Sequence, residues 1–142
     1  MIDYTLLLSD SQAVTADAKS TNTIQLDGVQ QIGRGTPMAV IMNVEVAADY
    51  TTEDETYTFA IRTSANSDMS SSTTLSSYTI AAADLSLGSV HVFPFPLTND
   101  EYIDLYYDVG GTTPTITVTS YLGTFSSANT GFDQSYPVGY TQ

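Results

Sequence analysis

The amino-acid sequence predicts an all-β chain: a jelly-roll-like antiparallel β-sandwich of about eight strands, residues 1–122, followed by an extended C-terminal arm, residues 123–142. Two observations lead there. Apolar residues recur with a period of two rather than 3.6, and Ser, Asp, Asn, Gly and Pro break the runs at the short intervals typical of sandwiches and jelly rolls.

Taken in order, the N-terminal part yields short strands at Tyr4 to Leu8, Ala13 to Thr15 and Thr23 to Leu26, with turn-forming Ser, Asp and Asn between them. Met38, Val40, Met42, Val44 and Val46 share one face of a longer strand, and Tyr57, Phe59 and Ile61 do so in the next. Their link, Asp49 to Thr56, is acidic and expected in solvent. Ser70 to Thr74 reads as a loop, Leu75 to Ile80 as a strand and Ala81 to Leu87 as a helical turn. In Val90 to Phe95, Pro94 and the following Pro96 remove ladder donors, which suits an edge strand or a bulge.

Ile103, Leu105, Tyr107 and Val109 then alternate with Tyr102, Asp104, Tyr106 and Asp108, and Ile116, Val118 and Leu122 with Thr115, Thr117, Thr119 and Tyr121. With Gly110, Gly111 and Pro114 between them, the two runs predict a β-hairpin whose second series faces outward. Beyond Leu122, Phe125, Phe132, Tyr136 and Tyr140 are scattered among Gly, Ser, Asn and Pro without periodicity, which reads as an arm.

A length of 142 residues suits one self-sufficient core. The absence of cysteine removes disulfides, thiolate metal sites and thiol catalysis. The first ten residues carry Asp3 and Asp10 and no basic segment, so export by a cleaved leader is not expected. Only Lys19, Arg34 and Arg62 stand against sixteen carboxylates, a formal charge of -13 that repels phosphate backbones and anionic lipid. Nucleic acid and membranes are therefore not expected partners.

The chemistry-bearing residues are sparse. His91 is the only histidine, lies within an expected strand and has no Gly-x-Ser-x-Gly elbow to serve. Asp104 and Asp108 share a strand face, yet four residues of strand separate them by roughly 13 Å, too far for a carboxylate pair acting on one glycosidic bond. Asp49, Glu53, Asp54 and Glu55 offer oxygens to calcium but lack the alternation and central glycine of an EF-hand loop, which favours a solvated loop. Gly33, Arg34 and Gly35 look like a phosphate cradle without the Lys-Ser/Thr that would complete it; Arg34 is instead a candidate for pairing with a partner's carboxylate. Outward Tyr102, Tyr106 and Tyr121, with Arg34 and the arm's Phe125, Phe132, Tyr136 and Tyr140, form the candidate partner-binding set, since tyrosine combines apolar area with a polar tip. No catalytic residue, metal site or cofactor is expected.

The run Leu7-Leu8-Ser9-Asp10-Ser11-Gln12-Ala13-Val14-Thr15, followed by Ser20-Thr21-Asn22-Thr23-Ile24, resembles the start of capsid cement (decoration) proteins of tailed bacteriophages. Tyr106-Tyr107-Asp108-Val109-Gly110-Gly111-Thr112 through Thr119 is similar to that family as well, so the resemblance covers roughly residues 4 to 26 and 90 to 122. It implies a virion protein made in the host cytoplasm, sitting on the outer capsid surface and clamping neighbouring major capsid subunits. It also implies a homo-oligomer, with a dimer favoured and a trimer the alternative. A carbohydrate-binding or adhesin module is the rival expectation, and a glycoside hydrolase a more distant one.

Overall fold

The period-two runs become strands, and the pairing of those strands decides which residues meet. The structure is a computed structural model, and it describes residues 3–26 and 37–125. Its strands are β1 (Leu7–Val14), β2 (Ala18–Lys19), β3 (Ile24–Gln25), β4 (Met38–Val46), β5 (Thr56–Ser64), β6 (Thr73–Ile80), β7 (Val90–Pro94), β8 (Tyr102–Gly110) and β9 (Ile116–Thr124). Short 3-10 turns stand at Tyr4–Leu6 and Ala82–Asp84.

All ladders are antiparallel and form two sheets. One has four strands in the order β1-β9-β4-β7; the other runs β2-β8-β5-β6, with β3 also paired to β8. Since β2 and β3 both lie along β8, opposite Tyr106 and Ile103, they act as halves of one interrupted strand. Counted that way, the nine strands of the described residues make eight, against about eight expected, and the chain switches sheet at most connections, which is the wrapping of a jelly roll.

The core lies between the sheets. Tyr57, Phe59 and Ile61 of β5 and Ile103, Leu105 and Tyr107 of β8 are buried in one cluster with Leu8, Val40, Met42, Val44, Ile116, Val118 and Leu122 of the other sheet. Phe93 of β7 stacks between Phe59, with centroids 5.9 Å apart, and Tyr78 of β6, 4.9 Å away, so three rings tie together the sandwich margin where β6 and β7 lie.

Several expectations need correction. β8 and β9 do not form a hairpin: they belong to opposite sheets, and the Gly110 to Pro114 segment carries the chain across the sandwich. Gly111 is essential there, because it has φ +93° and a Cβ would collide with the Asp54 backbone. β1 is one strand broken by bulges rather than two strands, with Ser11 at φ 47°. A register shift between Val44 and Val46 leaves Val46 exposed. Thr73 and Thr74, read as loop, begin β6. Gly123 and Thr124, assigned to the arm, complete β9 opposite Ala39 and Met38, and the Phe125 amide donates to the Pro37 carbonyl. Residues 126–142 of the expected arm lie outside the described residues.

Candidate functional site

The outward face of the five-stranded sheet is built by register. Arg62 stands opposite Asp104 and Thr74, Ala60 opposite Tyr106 and Ser77, and Thr58 opposite Asp108 and Thr79. Arg62 Nε donates to Asp104 Oδ1 at 3.0 Å and Nη2 to Oδ2 at 2.5 Å, a two-point ion pair, while the guanidinium lies 4.0 Å over the Tyr106 ring. Asp104 is therefore buried, 1 % exposed, and not the solvent-facing carboxylate that alternation predicts. Because Ala60 fills little space, a groove of about 420 Å³ opens between Arg62, Tyr106, Asp108, Thr74 and Ser77. Tyr102 lies half-buried farther along the same strand, opposite Ser64 and Gln25.

The outward face of the four-stranded sheet differs. Leu7 pairs with Tyr121, Tyr121 with Ile41 and Ile41 with Val92, so one apolar row crosses all four strands. Leu7, Ile41 and Tyr121 form a second buried cluster, with Val90 and Val92 partly buried against it. Tyr121 thus points outward as predicted but is only 9 % exposed, and burial pushes its hydroxyl pKa up. The structure separates the three candidate tyrosines: Tyr102 and Tyr106 lie on one sheet, Tyr121 on the other. Phe125 is exposed at the end of β9. Arg34, Phe132, Tyr136 and Tyr140 lie outside the described residues.

His91 sits in β7, where Nε2 lies 3.1 Å from the Asp84 carbonyl and 3.2 Å from Ser89 Oγ. A carbonyl only accepts, so Nε2 carries the proton and faces Ser89 as a donor rather than as a base. Partial burial lowers the histidine's pKa. In the acidic loop, Thr51 donates to Asp49, and Asp54 accepts from Thr52 and from both the amide and hydroxyl of Thr112, which pull its pKa down. Among the described residues, no three His, Cys, Asp or Glu side chains are grouped to hold a metal ion. Glu55 departs from the expected solvated loop, being 5 % exposed. At one margin of the five-stranded sheet, a recess of about 700 Å³ is lined by Thr63, Thr98 and Asp100, whose side chains bond one another, and by exposed Leu97.

Sequence reasoning missed a polar staple through the core. The Tyr107 hydroxyl lies 2.7 Å from Ser9 Oγ and 3.1 Å from Ser120 Oγ, so β8 of one sheet is bonded to β1 and β9 of the other. Burial pushes the Tyr107 pKa up to about 12. Ser9 also donates to Gln12, which accepts from Thr21 and donates to the Lys19 carbonyl. The recognisable N-terminal run thus holds β1 against the β2–β3 link, and the Gly110-Gly111-Thr112 run seats the β8–β9 crossing on Asp54. The only available signal was polar letters recurring among apolar ones at Ser9 and Ser120.

The chain belongs to the Bbp16 family, whose sequence model matches residues 8–126, a span that takes in every strand of the sandwich except the first residue of β1. No curated relative matches it.

Proposed function

We propose that this member of the Bbp16 family is a structural virion protein that binds the outside of a phage icosahedral capsid and cements neighbouring major capsid subunits. It acts by binding, as a homo-oligomer with a dimer favoured, and not by catalysis. The observation that carries the reading is the apolar row Leu7, Tyr121, Ile41 and Val92 across the outward face of the four-stranded sheet. An antiparallel sheet with one face in water alternates apolar-inward with polar-outward. Leu7, Ile41 and Tyr121 are already buried on this face and Val90 and Val92 only partly so, and we read the partly covered β7 end of the row as the part that a partner completes. Among the described residues β6 is the last strand of its sheet, which supports the same reading. Thr73–Ile80 carries neither charge nor proline, the devices that stop an edge from pairing, so a partner strand can add there.

Binding only to the assembled shell stabilises it by mass action, by about 2.7 kcal/mol per site at a hundred times the dissociation constant. Repetition over an icosahedron makes modest contacts sufficient. The reading is tested by sedimenting mature shells with the purified chain and heating shells with and without it. Stoichiometric co-sedimentation and greater heat resistance are expected; shells that neither bind it nor gain resistance reject cementing.

The Arg62–Tyr106 groove favours a second reading, a carbohydrate-binding module, because a ring, a guanidinium and the Asp108 carboxylate converge there. Against it, Arg62 covers one face of the Tyr106 ring, the surface on which a sugar would stack. A glycan array without hits dismisses that alternative.

A further inference from the structure

We propose that β6 pairs antiparallel with β6 of a second copy of this chain, centred on Tyr78, so that the two five-stranded sheets continue into one. The pairing gives the proposed homo-oligomer its interface and rests on that part of the reading alone; cementing of a shell can fail while this dimer stands.

Among the described residues the two sheets end at β1, at β7, at the β2 and β3 pieces, and at β6. An edge strand turns alternate backbone N–H and C=O groups outward, and bulges, charge, proline or shortness keep such edges from pairing. β1 carries two register shifts, exposed Asp10 and Ser11 at φ 47°. β7 spans five residues and ends in Pro94. β2 and β3 span two residues each, and Lys19 is one of them. β6 is different: it has eight residues, no charge and no proline. Its one irregularity is at Leu75, which is passed over between Thr74 opposite Arg62 and Ser76 opposite Ile61. Beyond that bulge, Ser76 to Ile80 runs in unbroken register along β5, a straight stretch on which another strand can be laid.

Charge selects a second copy as the occupant. Two chains of formal charge -13 repel one another, and the repulsion is least where neither contributes a charge. The stretch from Met69 to Ala83, bounded by Asp68 and Asp84, contains no Asp, Glu, Lys or Arg. A twofold arrangement sets this stretch against itself. Centred on Tyr78, it places Ser77 opposite Thr79 of the second copy and Ser76 opposite Ile80 of the second copy. Ser77 and Thr79 are exposed, so hydroxyls meet hydroxyls on the outward side. On the inward side, Tyr78 and Ile80 are only partly buried against the core, with Tyr78 stacked 4.9 Å from Phe93, and a second β6 covers their open flank.

The chain has no cysteine, so an introduced pair is diagnostic. Opposed residues of an antiparallel pair have Cα atoms about 4.5 to 5.5 Å apart, a span that a disulfide bridges. A Ser77→Cys chain mixed with a Thr79→Cys chain under mild oxidation should give the mixed disulfide dimer, and neither should cross-link to an Asp10→Cys chain, whose substitution lies on β1 at the far edge of the other sheet. Sedimentation velocity of the parent should show a dimer at roughly 100 µM. Ser76 and Ser77 are adjacent, so the amide of one of them points away from β5. Of Ser76→Pro and Ser77→Pro, the variant that keeps the parent melting temperature removes an outward donor and should raise the dimer's dissociation constant about tenfold or more. If neither folds, the cross-linking decides. A parent that stays monomeric, a dimer untouched by the folded proline variant, or cross-linking to Asp10→Cys as readily as within β6 overturns the pairing. So does a monomer whose Ser76 to Ile80 amides are all protected from hydrogen exchange, since the chain then covers its own edge, and so does protection gained only on shells, which assigns the edge to the capsid protein. Co-sedimentation of the parent with mature shells reports on cementing separately.

Discussion

The two outward sheet faces solve the problem of meeting solvent in opposite ways. On the five-stranded sheet, hydroxyls of Thr58, Thr74, Ser77 and Thr79 surround one buried ion pair, Arg62 with Asp104, while Asp108 stays exposed. On the four-stranded sheet, Leu7, Tyr121, Ile41 and Val92 line up across every strand. The first face meets solvent with hydroxyls and the exposed Asp108; the second is apolar, with Leu7, Ile41 and Tyr121 buried and Val92 only partly covered. The difference shows why charge alone is a poor guide to the docking surface: the chain's net charge of -13 describes its loops and margins, not the row that a partner would cover.

The largest effect expected from breaking this comparison is on the hydroxyl-bearing face. Asp104→Ala strands the Arg62 guanidinium, whose side chain is only 17 % exposed, and should cost about 3 to 5 kcal/mol in urea unfolding. Asp108→Ala, on the same strand face but exposed, should stay within about 0.5 kcal/mol. Equal effects would mean that Arg62 finds another partner.

Next comes the staple that joins the two sheets. Tyr107→Phe leaves Ser9 and Ser120 without their shared hydroxyl and should cost about 1 to 2 kcal/mol. Its pH signature has a definite sign. The folded state keeps the phenol proton to about pH 12 against an ordinary 10, so the contribution is complete below pH 10 and fades as pH rises from 10 toward 12. Tyr107→Phe should flatten that alkaline decline in a series of melts; an unchanged decline assigns it to other groups.

The smallest expected effect is at the crossing. Asp54 has its pKa lowered by Thr112 and Thr52, so its contribution is present above the usual carboxylate pKa of 3.8 and lost as pH falls through the lowered value. Thr112→Val removes one of those donors and should lessen the acid sensitivity of the melting temperature while leaving neutral-pH melting nearly unchanged.

How much of this was legible depended on whether the determining contact was local. β4, β5, β8 and β9 were readable because one buried face imposes alternation on the chain itself. The β8–β9 link was not, since Gly110, Gly111 and Pro114 mark a change of direction without saying which sheet receives the next strand. Asp104 reads as solvent-facing because its partner, Arg62, lies 42 residues away in sequence. Tyr121 was correctly placed outward, but its burial comes from Leu7 and Ile41 on other strands. The candidate site was therefore half visible: the faces followed from parity, their opposite characters from pairings between distant strands.

The most direct test compares one charge on each face. Val92→Glu places a carboxylate in the apolar row at a half-buried edge position, and Ser77→Glu places one on the hydroxyl-bearing face at an exposed position. With both chains folded by circular dichroism, Val92→Glu should fail to co-sediment with mature shells while Ser77→Glu binds as the parent does. Undiminished binding by Val92→Glu, or loss of binding by Ser77→Glu alone, would contradict the assignment of the apolar row as the docking face.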